Sequence, residues 1–170
     1  MTKKPYEPSW LVEARRHVGV REIPGTKHNP TILGWAKRLG RKLGIAVADD
    51  ETPWCGTFVA QCMDAVGLPV APIAVRAKAW AAYGDSLPLK STPPLGAIAV
   101  FDRQGGGHVG FVVGVTDNAL LILGGNQGNR VSVVPIARDR CVALRWPTGQ
   151  IIASPAPRSA TNAPLSKNEA

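Results

Sequence analysis

Through the first eighty-odd residues apolar side chains recur every three or four positions, which is the spacing of helices with one buried face. Ser9 is placed to cap a first helix that runs to about Val18, with Trp10, Leu11, Ala14 and Val18 on one face and Gly19 as its stop. Asn29-Pro30 offers a second start, an N-cap followed by proline at the first helical position, and Ile32, Ala36, Leu39 and Leu43 repeat behind it up to Gly40 and Gly44. A third helix carries Cys55, Phe58, Val59, Cys62 and Val66 and ends at Gly67-Leu68-Pro69, and a short fourth is expected over 74–83 before Gly84. After Pro93-Pro94 the period becomes extended. Short β-branched runs at 96–101, 108–115, 119–123, 130–134 and 141–146 are separated by Gly, Asp, Asn or Pro. Helices followed by an antiparallel meander predict an α+β domain over 9–150, behind a flexible N-terminus at 1–8. From 151 to 170 the Ser-, Pro- and Ala-rich composition without periodicity predicts a disordered tail.

The 170-residue length and 45% hydrophobic content suit one domain with a real core. No apolar run approaches the roughly 18–20 residues of a membrane span, and the charged start is not a secretion signal. Three cysteines form no zinc spacing and leave one unpaired, so neither a disulfide framework nor a metal or other cofactor is expected. The net charge of +8 sits mostly in residues 1–42, which carry ten basic and three acidic side chains. That excess suits contact with an anionic wall polymer or lipid surface, or simply a solubilising face at Lys37, Arg38, Arg41 and Lys42. The stretch lacks interleaved aromatics and any zinc-finger, RNP or basic-zipper pattern, which argues against nucleic acid.

Pro53-Trp54-Cys55-Gly56 puts a cysteine at a helix start, where unpaired N–H groups and the positive dipole end favour the thiolate. Cys55 is therefore the candidate nucleophile, and Cys62, two turns further on the same face, reads as core. Downstream lie His108, behind three glycines, and the run Gly124-Gly125-Asn126-Gln127. A cysteine followed by His and then Asn is a recognised nucleophile signature. If Asp117-Asn118 is a two-residue hairpin turn, Thr116 faces Ala119 and His108 faces Gln127; a register one residue different gives Asn126. Either amide would hold the far nitrogen of the imidazole.

Taken together, Pro-Trp-Cys-Gly-Thr-Phe-Val-Ala, Gly-His-Val-Gly-Phe-Val-Val-Gly and Gly-Gly-Asn-Gln resemble the motifs of CHAP and NlpC-like cysteine peptidases, most closely those of single-domain bacteriophage endolysins and prophage wall hydrolases. The front segment Gly19-Val20-Arg21-Glu22-Ile23-Pro24-Gly25, followed by Asn29-Pro30, is also similar, so the likeness spans about 10–147. It implies a papain-like fold, N-terminal helices on an antiparallel sheet of about five to six strands, acting on bacterial peptidoglycan. It implies Cys55 as nucleophile, His108 as general base and Asn126 as the orienting residue, with Gln127 as competitor. Trp54, Trp80 and Gln127 are candidates for lining a substrate groove, and Glu22 and Asp50 for meeting the amine of a diaminopimelate side chain. The resemblance further implies a monomer made in the host cytoplasm that reaches the wall through a separate pore. Muramoyl-L-alanine amidase and D-Ala–diaminopimelate endopeptidase activities both fit. An acyltransferase or transglutaminase on the same Cys-His site, and a silent wall-binding module, are the competing readings.

Overall fold

The computed structural model describes residues 6–50, 52–167 and 169. Three α-helices, α1 (Ser9–Arg16), α2 (Pro30–Leu39) and α3 (Cys55–Ala65), precede six strands: β1 (Asp85–Leu87), β2 (Ile98–Arg103), β3 (Gly106–Val115), β4 (Ala119–Gly124), β5 (Ser132–Ala137) and β6 (Cys141–Trp146). The strands form one antiparallel sheet in the order β1-β6-β2-β3-β4-β5. The expected α+β arrangement, helices packed on an antiparallel sheet, is what the chain adopts. No helix among the described residues is long and apolar enough to cross a membrane.

Local sequence explains most element boundaries. Asn29 accepts at its side-chain oxygen from the N–H groups of Thr31 and Ile32 (2.8 and 3.4 Å), and Pro30 stands first in α2. Ser9 behaves differently from expectation: it is the first residue of α1, no side chain caps that helix, and α1 ends at Arg16 ahead of an exposed Val18. The expected fourth helix is a 3-10 turn, Ala77–Ala82, whose Trp80 indole N–H is drawn to the Ala74 carbonyl (2.9 Å). The short strand β1, with its polar Asp-Ser start, has no hydrophobic alternation to announce it.

The core forms between α3 and the sheet. Phe58 meets Phe111 edge-on at 6.4 Å, and Trp35 lies 5.8 Å from Phe58 and 6.3 Å from Trp54. Trp10 packs edge-on against Trp146 at 5.1 Å while its N–H donates to the Gly96 carbonyl (2.8 Å). A polar network ties the three helices together: the Gln61 amide donates to Glu13 (3.0 Å), and Arg38 donates to Gln61. Part of the basic front segment is spent internally, with Arg15 on Glu7, Arg16 on Glu13, and Arg38 and Lys42 on Asp64. Lys3 and Lys4 lie outside the described residues.

The β3–β4 hairpin turns at Asp117-Asn118, as expected. Thr116 N–H donates to Ala119 O (2.9 Å), Val115 pairs Leu120 and Gly114 pairs Leu121. An irregularity between Val112 and Gly114 then shifts the register by one, so that Val112 faces Ile122 and Phe111 faces Leu123.

The expectation of a disordered tail gives way to a segment laid along the sheet. Leu95 N–H donates to Ser154 O, Ala156 N–H to Pro93 O and Val115 N–H to Pro157 O, at 2.8, 2.8 and 2.9 Å. Ala153 and Ala156 are buried, and Glu169 pairs with Arg140 (2.8 Å). Pro155 and Pro157 fit this strap because the donors it uses are the N–H groups of Ala156 and Ser159, while Pro157 is needed only as an acceptor.

Asp50 anchors the front loop. Its fully buried carboxylate accepts from the backbone N–H of Ile23 (2.9 Å) and Asn29 (2.6 Å) and pairs with the His28 imidazole (3.0 Å). Burial raises this carboxyl's pKa, but those hydrogen bonds outweigh it and hold the group below its ordinary value of 3.8. A depressed carboxyl pKa stabilises the fold above the unfolded value and loses that contribution as pH falls through the folded value. Asp50→Asn should therefore cost roughly 2–3 kcal/mol near neutrality, with the gap to wild type closing below about pH 4. Thermal unfolding monitored across pH checks both the size and the closure.

Candidate active site

Cys55 is the first residue of α3 and is buried, with 4% of its surface exposed. The helix opens on Trp54, whose carbonyl accepts the first intrahelical bond, from Phe58 N–H (2.9 Å). Gly56 lets this helix start press on the loop that follows α3: a Cβ there would stand 2.3 Å from the Ala74 carbonyl oxygen and 2.7 Å from that of Val75. Burial raises the Cys55 thiol pKa above its ordinary value. The backbone N–H groups of Val109, Gly56 and Cys55 itself, and the Arg103 charge, work against that rise without cancelling it. The helix start expected to yield a thiolate thus holds a neutral thiol in the closed site. The Val109 contact brings the sulfur to β3 one residue from His108.

His108 is fully buried on β3, and its Nε2 meets Gln127 Oε1 at 2.9 Å. The amide is not free to turn: Gln127 Nε2 donates to the carbonyls of Ile122 (3.0 Å) and Ser132 (2.6 Å), so only its oxygen faces the imidazole. An oxygen acceptor requires Nε2 to carry the proton, which leaves Nδ1 as the basic nitrogen of the neutral ring. Nδ1 is buried and has no hydrogen-bond partner among the described residues. Burial also pushes the His108 pKa below its ordinary 6.5; the Gln127 bond and the Glu169 carboxylate act upward, and Arg103 and Arg140 act downward.

Asn126, which the family resemblance assigned to orienting the imidazole, does not hold it. Continuing the shifted register would set Asn126 opposite His108, but β4 ends at Gly124 and Asn126 turns with φ 58°, its side-chain oxygen buried and unpartnered among the described residues. Gln127, one residue on, folds its longer side chain back over the strand end. Of the two amides competing for the imidazole, the structure gives Gln127 to it. Gly124 makes the approach possible, since a Cβ there would lie 2.7 Å from Gln127 Oε1 and 3.2 Å from His108 Nε2. Neither aspartate near this strand substitutes: Asp102 pairs with Lys78 at 2.9 Å and Asp117 with Arg158.

The remaining expected substrate residues are structural. Trp54 is buried and donates its indole N–H to Glu22 (2.7 Å), so this pair clasps the front loop to α3. Trp80 is wholly buried beside Tyr83, at 5.0 Å, and lines no groove. Asp50 is consumed by the loop it anchors. Glu22 does border a cavity of about 430 Å³ with Arg21, Ile23, Asn129 and Arg130, separate from the one at the cysteine. Cys55 itself opens on a cavity of about 270 Å³ lined by Pro53, Arg76, Lys78, Arg103, Gly106 and Gly107. Only the glycine run Gly105-Gly106-Gly107 announces this wall in the chain.

Residues 47–126 match the family model of the CHAP domain. The match is consistent with the CHAP/NlpC-like cysteine peptidase superfamily, and the matched stretch holds Cys55, His108 and Asn126 and stops one residue before Gln127. No curated protein and no solved structure gives a match. CHAP domains act on peptidoglycan, typically as cysteine/histidine-dependent hydrolases.

Replacing Gln127 by Ala should lower kcat by about a hundredfold or more while KM changes little, since the ring loses its tautomer lock and not a substrate contact. Gln127→Glu keeps the acceptor and should retain more activity, with the acid limb of its pH profile moved upward by the added negative charge. Asn126→Ala should cost much less than Gln127→Ala. Steady-state kinetics on purified wall, alongside melting temperatures, would reverse this assignment if Asn126 proved the more sensitive position.

Proposed function

We propose that this chain hydrolyses an amide bond in the peptide of bacterial peptidoglycan, with Cys55 as nucleophile, His108 as general base and Gln127 as its positioning residue, and that the activity lyses bacteria as an endolysin does. The observation that carries this reading is the Gln127-locked imidazole, whose basic Nδ1 has no partner among the described residues, in a stretch that matches the CHAP family model and includes a helix-start cysteine.

The chemistry starts from a neutral pair. As the Cys55 sulfur attacks the substrate carbonyl carbon, its proton passes to His108 Nδ1, and the oxyanion that forms faces the free N–H at the start of α3. The imidazolium then gives that proton to the amide nitrogen, the C–N bond breaks, and the amine departs, leaving a thioester. Water attacks the thioester as Nδ1 takes its proton; the carboxylic acid leaves, and the proton returns to sulfur. Starting from a thiol suits the burial, because no separated charge has to persist in the closed site.

Two measurements bear on this. Cys55→Ala should keep the fold and abolish lysis of permeabilised bacteria, and mass spectrometry of muropeptides released by the wild type would identify the bond; a Cys55→Ala chain that still lyses cells overturns the reading. Alkylation supplies the pH test. Iodoacetamide should label Cys55 ahead of Cys62 and Cys141, which burial holds well above 9.0 and at about 11, yet its rate should still be climbing above pH 9 because the Cys55 thiol too is raised. The acid limb of kcat/KM should fall below pH 6.5, because a histidine pushed down by burial stays neutral until the solution is more acidic than its ordinary pKa.

A further inference from the structure

The cavity at Cys55 has a one-sided electrostatic character that hydrolysis alone does not require. Arg76, Lys78 and Arg103 line it, and none of its lining residues among those described is acidic. Lys78 is committed to Asp102, both exposed, on the outer lip. Among the described residues Arg103 has no ion pair, and its buried Nε has no hydrogen-bond partner. A buried guanidinium N–H left unpaired costs free energy unless something supplies an acceptor. The wall beside it is kept bare. A Cβ on Gly106 would stand 3.8 Å from Arg103 Nε and 3.9 Å from its terminal nitrogen, so any side chain there would lie over the guanidinium. At about 270 Å³ the cavity falls short of the roughly 300–1,000 Å³ that takes a drug-sized ligand, and suits one residue beside the scissile bond.

We propose that Arg103, exposed to the Cys55 cavity by Gly106, is a specificity-determining residue that binds a free carboxylate adjacent to the scissile amide. The substrate class is then an acyl peptide bearing an ionised carboxylate next to the bond cut, and an amidated carboxylate at that place is disfavoured. A guanidinium suits this role because its parallel N–H groups match the two carboxylate oxygens and it stays charged at any working pH. This deepens the peptidoglycan reading and rests on Cys55 as the nucleophile.

Two alkylating agents that differ in one charge test the subsite at Cys55 without any wall substrate. Iodoacetate carries a carboxylate next to its reactive carbon; iodoacetamide carries the neutral amide. The ratio of their rates at Cys55 cancels changes in thiol pKa, which affect both. In the wild type this ratio should exceed that of free cysteine by about tenfold, the worth of one charge-assisted hydrogen bond. It should collapse toward the free-cysteine value in Arg103→Gln, recover in part in Arg103→Lys, and fall in Gly106→Leu, which covers the guanidinium without removing it. A wild-type ratio equal to that of free cysteine overturns the subsite even if every variant misfolds. Failure of iodoacetamide to select Cys55 over Cys62 and Cys141 overturns the nucleophile and the subsite together. On wall material, kcat/KM for non-amidated peptides should exceed that for amidated ones in the wild type, and the preference should vanish in Arg103→Gln. Equal rates on both walls would overturn the substrate assignment while leaving wall hydrolysis standing.

Discussion

The site hangs on the orientation of one side-chain amide. Gln127 spends both N–H bonds of its Nε2 on the carbonyls of Ile122 and Ser132, and this alone decides that an oxygen faces His108. A flipped amide would strand two buried carbonyls and present N–H to the ring, reversing which imidazole nitrogen is basic. The Gln127 backbone is pinned as well, with its N–H on Arg130 O (2.9 Å) and its carbonyl taking the Ser132 hydroxyl (3.0 Å). The turn after β4 is therefore shaped around this residue. Its tautomer control reaches the chemistry through a single hydrogen bond.

Burial sets the second constraint. A thiolate–imidazolium pair gains from attraction but must be desolvated, whereas a thiol beside a neutral imidazole needs no desolvation of charge. Both displacements here, the thiol upward and the imidazole downward, favour the neutral pair. The neighbouring groups pull in opposite directions: the Gln127 hydrogen bond and the Glu169 charge favour the protonated ring, Arg103 and Arg140 oppose it, and Arg140 is itself paired with Glu169. The segment after β6 thus contributes to the field at the histidine as well as covering the sheet, an effect invisible in its polar, aperiodic sequence.

Much of this was legible in the chain, though not always for the reason that first presents itself. The Asn29-Pro30 cap, the turn at Asp117-Asn118 and the cysteine opening α3 follow from local chemistry, and each stands where the sequence puts it. The hairpin arithmetic pointed to Gln127 and the family motif to Asn126. The structure has Gln127 at the histidine, yet the strand register that should carry it there is broken near Val113, and the contact is made by side-chain reach. What the sequence could not convey depends on tertiary packing. Whether residues 77–82 wind as α or 3-10 is decided by the Trp80 bond to Ala74, and whether Asp50 meets substrate or backbone depends on a loop some twenty residues earlier in the chain.

Glycines at the site act mainly by the space they leave. Gly56 brings the nucleophile's helix onto the 74–75 carbonyls, and Gly125 lets the turn after β4 rest on Phe58 and the Trp54 ring, where a Cβ would sit at 2.6 and 2.7 Å. Both contacts hold the start of α3, and neither neighbour yields easily, since one is backbone and the other is an indole packed against Trp35. Gly106 differs: among the described residues only the Arg103 guanidinium lies near it, so a side chain would meet nothing tighter than ordinary contact and would cover that charge. Packing explains the first two glycines, but not the third. A bare position that the fold does not require, beside a half-buried arginine whose Nε has no partner among the described residues, fits the carboxylate subsite proposed for the cavity.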